Sequence, residues 1–175
     1  MAIIEAIETL RLEADAASVT FDSVAGYKHL QLHYSAAITY TSSDWQSILI
    51  QLNDDTASNY HFRQLYAYGT SNGSFGSTLD STRNGWVSTY QSNSMAPIVY
   101  GGGFIIIPDY LNANKNTAVL ETGGTQNKPN ANRGMHGTSW AIWDNTAAIT
   151  KIKLSPQNDN WKQGTFFTMY GIKSS

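Results

Sequence analysis

Alternation with a period of two limits this chain more than any other feature. Near its end, Gly164-Thr165-Phe166-Phe167-Thr168-Met169-Tyr170-Gly171-Ile172-Lys173 reads as a strand that closes the fold. Near its start, Val19-Thr20-Phe21-Asp22-Ser23-Val24 runs through a short turn into Tyr27-Lys28-His29-Leu30-Gln31-Leu32. Leu30, Leu32 and Tyr34 alternate with His29, Gln31 and His33. Ile48, Ile50 and Leu52 alternate with Ser47, Leu49 and Gln51, and Ile152 and Leu154 alternate with Lys151 and Lys153. This spacing places apolar side chains on one face of a pleated strand, whereas a helix needs them three and four apart. Phe104-Ile105-Ile106-Ile107 is apolar throughout, which predicts a central strand covered on both faces, ended by Pro108.

Met1 to Leu12 is the one stretch where helical spacing (Ile3, Ile7, Leu10) competes with alternation. The direct run of Leu10-Arg11-Leu12 into the next strand favours a strand. Turn chemistry separates the runs: Asn53-Asp54-Asp55, Ser71-Asn72-Gly73, Asn84-Gly85, Gly101-Gly102-Gly103, Gly123-Gly124 and Ser155-Pro156-Gln157-Asn158-Asp159. Strands recurring every 10 to 20 residues would number roughly nine to eleven. The expectation is an all-β, antiparallel β-sandwich of a single domain, residues 1–175. Long loops at Gly69 to Gly85 and Gly123 to Gly137 make it jelly-roll-like rather than immunoglobulin-like. With a strand at each end, it should be one self-contained unit.

Composition narrows the function. Charged residues make up 14% of the chain, against about 25% in an average domain. Ser, Thr, Asn, Gln, Gly and Tyr fill the gap, giving a surface that is polar but barely charged. A net charge of −2 offers no basic field for nucleic acid or an anionic membrane. No apolar run reaches 18 residues, and the first residues lack the pattern of a secretory signal, so neither nucleic acid nor membrane is an expected partner. Cysteine is absent, which removes disulfides and thiolate chemistry.

Residues that could carry chemistry do not assemble into a motif. His29 and His33 share a strand face but stand about 13 Å apart by strand rise, too far for one metal ion. Asn53-Asp54-Asp55-Thr56 lacks the spacing and closing Glu of a calcium loop and reads as a hairpin turn capping its own backbone; Asn158-Asp159-Asn160 is treated alike. Gly137-Thr138-Ser139-Trp140 is not a nucleophile elbow, and Gly101-Gly102-Gly103 precedes a strand where a phosphate loop needs a helix. Glu occurs at positions 5, 8, 13 and 121, three of them near the N-terminus, so paired glycosidase acids are not expected. The expectation is no catalytic residue, no metal and no cofactor. The aromatics are more informative. Trp86, Tyr90 and Trp161, beside polar loops, are candidates to face a partner or a glycan. Trp140 and Trp143 cannot face the same way on a strand, so one of them belongs to the core.

Several segments resemble a β domain found in structural proteins of tailed bacteriophages. They are Ser18-Val19-Thr20-Phe21-Asp22-Ser23-Val24 with Tyr27-Lys28-His29-Leu30-Gln31-Leu32; Leu52-Asn53-Asp54-Asp55 with Ser58-Asn59-Tyr60; Pro108-Asp109-Tyr110 with Asn114-Lys115; and Ser155-Pro156 before Asn160-Trp161. Gly164-Thr165-Phe166 with Tyr170-Gly171-Ile172-Lys173 is the most telling. The resemblance runs from about Ile7 to Lys173. It implies a non-enzymatic component of the virion, made in the host cytoplasm and exposed on the particle. Because Met1 leaves no room for a fibre shaft, a capsid decoration or cement protein is expected ahead of a tail-fibre or spike module that binds a host glycan. The implied partners are the chain itself, as a trimer by analogy with closed symmetric assembly, and the major capsid protein or another virion protein. Ile3, Ile4, Ile7 and Leu10 are the expected contacts to a sister subunit or the capsid.

Overall fold

The structure, a computed structural model, describes residues 3–22, 24–40, 46–80, 86–90, 99–125 and 134–173. Those residues form twelve strands: β1 (Ile3–Arg11), β2 (Val19–Asp22), β3 (His29–Ala36), β4 (Gln46–Leu52), β5 (Tyr60–Tyr68), β6 (Ser71–Asp80), β7 (Trp86–Tyr90), β8 (Gly101–Pro108), β9 (Thr117–Thr125), β10 (Met135–Trp143), β11 (Lys151–Pro156) and β12 (Phe166–Lys173). All pairings are antiparallel. One sheet has eight strands in the order β1-β12-β3-β8-β9-β10-β5-β6, the other four in the order β2-β11-β4-β7. The chain is therefore all-β, an antiparallel sandwich, as the alternation requires.

The pairing order identifies the frame. The four-strand runs β1-β12-β3-β8 and β2-β11-β4-β7 are the two sheets of an eight-strand jelly roll. Two hairpins are inserted into it, β5-β6 between β4 and β7, and β9-β10 between β8 and β11. Both add to the same edge of the first sheet, so it reaches eight strands while its partner keeps four.

The core follows the predicted alternation. Leu30, Leu32 and Tyr34 of β3, Ile48, Ile50 and Leu52 of β4, and Ile152 and Leu154 of β11 point inward and are buried. Trp161 binds the two sheets together. Its ring lies edge-on to Phe167 of β12, 5.1 Å between centroids, while its indole N–H donates to the Leu154 carbonyl of β11 at 3.3 Å. Its backbone also bridges Ala16 and Ile38. Trp161 is fully buried, which corrects its reading as a partner-facing aromatic: the polar segment around it folds over the end of the sandwich and seats the ring inside.

Three other expectations need correction. Gly101–Gly103, Ser71–Gly73 and Gly123–Gly124 are not turns but lie within β8, β6 and β9. Gly103 is opposite both Tyr34 and Gly123, and a Cβ there would collide with the Thr122 carbonyl and the Tyr34 hydroxyl. Glycine thus lets the Tyr34 ring lie flat across the strand and donate to buried Glu121 at 2.9 Å. The Asn53-Asp54-Asp55 turn is real, with positive φ at Asn53 and Asp54 and an Asp55 N–H to Leu52 carbonyl bond of 2.9 Å. It is not a hairpin, however: it carries the chain from β4 in one sheet to β5 in the other. Finally, β8 is apolar on both faces, but its outer residues Phe104 and Ile106 are half-buried by strand neighbours, not by a second layer. The Asn84-Gly85 turn lies outside the described residues.

Trp161 fills the junction between the sheets, so Trp161→Ala should lower stability by about 3–5 kcal/mol. A urea titration followed by circular dichroism measures it. A loss below about 1 kcal/mol would show that the junction does not depend on this ring.

Candidate functional site

Among the described residues nothing covers the outer face of the eight-stranded sheet, which carries exposed apolar side chains in two regions, near β1 and on the inserted strands. At the first end, β1 is the edge strand. Its bulge between Ala6 and Glu8 and its charged residues Glu5, Glu8 and Arg11 blunt the edge against open-ended strand addition. Ile4 is 60% exposed beside Ile172 of β12, and Ile3 is also exposed. Ile4, Gln31, His33 and Tyr170 line a shallow hollow of about 390 Å³. His33 sits between two rings there, 5.1 Å from Tyr170 and 6.1 Å from Phe104. The four expected contact residues therefore divide. Ile3 and Ile4 are free at the surface, whereas Ile7 and Leu10 pack against this chain's own core.

A polar clamp holds this end. Lys173 of β12 pairs with Glu5 of β1 at 2.9 Å, its ammonium lies 5.2 Å from the centre of the Tyr27 ring, and the Tyr27 hydroxyl donates to Glu5 at 3.1 Å. The bonds from Lys173 and then Tyr27 hold the Glu5 carboxyl below its ordinary pKa.

At the second end, the inserted strands β10 and β5 carry a groove of about 410 Å³. Trp140 of β10 forms its wall, 47% exposed, opposite Arg63 of β5. Ile142 and His61, the next outward pair, form the floor. Asn116 and Asp144 close the far side, with the Asn116 amide donating to the Asp144 carboxylate at 2.5 Å and His61 Nε2 at 4.0 Å from that carboxylate. Parity decides the two tryptophans. Trp143 is the core residue and Trp140 faces out.

Trp143 also explains how Asp144 is held. Its indole N–H donates to Asp55 at 2.8 Å, and Asp55 further accepts from the Ala57 N–H at 2.8 Å and from the Asn59 amide at 2.7 Å. The Asn59 carbonyl in turn accepts the Asp144 N–H at 2.8 Å. Asn53 ties the following loop: its side chain accepts from the Thr150 and Lys151 N–H groups and donates to the Ala148 carbonyl. The Asp-rich turn is thus a structural anchor for the loop behind the groove.

The remaining candidates fall elsewhere. Trp86 and Tyr90 are the first and last residues of β7, paired with Leu49 and Gln46 of β4, and their side chains lie outside the described residues. His29 Nδ1 accepts the Asp109 N–H at 2.9 Å. Among the described residues, no three His, Cys, Asp or Glu side chains converge as metal ligands. Sequence reasoning missed the groove because it treated Trp140 only as one of a pair of which one is core. The strand partners Arg63 and His61 are nearly eighty residues away in sequence.

Desolvation by partial burial pushes the Asp55 pKa up, but the bonds from Asn59, Ala57, Trp143 and Asn145 together outweigh it, and the carboxyl lies below its ordinary 3.8. The unfolded chain therefore binds this proton more tightly. The stabilisation is complete above the ordinary pKa and disappears as pH falls through the lower folded value. Asp55→Asn should cost about 1–3 kcal/mol near neutral pH, and the gap from wild type should shrink near about pH 3. Urea midpoints at the two pH values test this; a gap independent of pH would contradict the anchor. Set against known proteins, the chain matches no family model, and no curated protein sequence matches it.

Proposed function

We propose that this protein is a non-enzymatic structural component of a bacteriophage particle, a decoration or cement subunit that associates with copies of itself and with a neighbouring virion protein. The observation that carries this reading is the outer face of the large sheet at the β1 end, left uncovered by the described residues, where exposed Ile4 rims the hollow lined by Gln31, His33 and Tyr170 and Phe166 is exposed further along β12 on the same face. An exposed apolar side chain on the rim of an aromatic hollow at a sheet edge marks a contact surface more readily than an isolated one would. The blunted edge of β1 favours closed contact through side chains over fibre growth by strand pairing. Support also comes from the frame itself, because a jelly roll presents broad rigid faces, and from the barely charged surface, which suits permanent contacts. The phage resemblance supplies the particle.

Light scattering on the purified chain at micromolar concentration should give a trimer. Ile4→Glu should disperse it to monomers and leave the thermal midpoint of the monomer unchanged, since Ile4 supports no core contact. A wild-type monomer, or an Ile4→Glu trimer, would overturn the assignment of this face.

A further inference from the structure

We infer that the groove beside Trp140 is a binding site for a neutral pyranose sugar. This goes beyond the structural role and does not depend on it, because the groove lies on β10 and β5, at the opposite end of the sheet from Ile4.

Three observations point to this ligand. The first is the wall. Trp140 leaves about half of a large amphipathic ring in solvent on a sheet face, where so large an apolar side chain is ordinarily buried. The C–H face of a pyranose ring is flat, apolar and of similar size, and it covers an indole without a charge.

The second is the polar side. A sugar carries adjacent hydroxyls, each both donor and acceptor. Asn116 and Asp144 are joined by one hydrogen bond, which fixes both planar groups and leaves the second carboxylate oxygen and the amide oxygen as acceptors. His61 stands next to them with ring nitrogens. Arg63 supplies donors at the rim: its side chain lies over Gly76 of β6, where a Cβ would collide with it, and it forms no ion pair among the described residues. Arg63 and Asp144 both line the groove and contribute one charge of each sign, so the site suits a neutral polyhydroxylated ring better than an anion or a cation.

The third is rigidity. Asp144 is held through its N–H by Asn59, and Asn59 by Asp55, so the acceptors are in place before a ligand arrives. The volume of about 410 Å³ falls within the range of small-molecule sites, about 300–1,000 Å³.

The test is titration calorimetry of the full-length protein against glucose, galactose, mannose and N-acetylglucosamine and their short neutral oligomers, alongside a sialylated and a sulfated oligosaccharide and an aromatic-rich peptide. At least one neutral sugar should bind, with Trp140→Ala weakening it at least tenfold and Asn116→Ala weakening it severalfold. Trp140→Phe should retain part of the affinity. Because Trp140 and Asn116 are surface residues, the oligomeric state and thermal midpoint of each variant should match wild type, which separates this result from failure of the assembly reading. The inference is overturned if no neutral sugar binds at millimolar concentration, if binding is unchanged in Trp140→Ala and Asn116→Ala, or if only the charged oligosaccharides or the peptide bind through Trp140.

Discussion

Two sheets of unequal width share one buried interface, and the rest of the molecule depends on it. The four-stranded sheet covers the inner face of the large sheet, and Trp161 joins the two by packing edge-on against Phe167 of one and hydrogen bonding Leu154 of the other. An indole buried this way contributes both apolar area and a satisfied N–H, so it holds the spacing of the sheets as well as their cohesion. Trp143 repeats the arrangement further along, with its N–H on Asp55 in the turn that crosses between the sheets. Since the inner faces hold the sandwich together, contact with other molecules falls to outward faces, and that of the wide sheet carries the exposed Ile4 and Trp140.

The two inserted hairpins give that outer face its character. An eight-strand jelly roll would end at β8 on this side, but β9, β10, β5 and β6 extend it. The frame strands carry the Ile4 end and the insertions carry the Trp140 groove, so one sheet presents two surfaces of different chemistry. One is apolar and suited to a protein neighbour. The other combines a single indole with fixed hydrogen-bonding groups.

The frame was legible from the sequence because burial acts through parity. Wherever apolar residues alternate strictly, as in β3, β4 and β11, each predicted inward residue is buried. The same rule separated Trp140 from Trp143. It failed where a neighbour from a distant strand changed the meaning of a residue. Glu121 points inward and Leu120 outward, opposite to their hydropathy, because the Tyr34 hydroxyl and the Ser139 hydroxyl satisfy the buried carboxylate. Gly103 of β8 read as part of a turn because its reason, the Tyr34 ring lying across it, is visible only after the strands pair. Trp161 read as exposed because its flanking residues are polar, yet that segment folds back along Ala16 and Ile38. The groove was hidden for the same cause: Trp140, Arg63 and Asn116 meet only through the order of the inserted strands.

The account holds that inward faces build the fold and the outward face of the wide sheet does the work. Hydroxyl-radical footprinting of the assembled protein against a dispersed Ile4→Glu form tests this most directly. The account predicts that Tyr170 and Phe166 are shielded only in the assembly, while Trp140 reacts equally in both. Equal reactivity of Tyr170 and Phe166 in the two forms would contradict it.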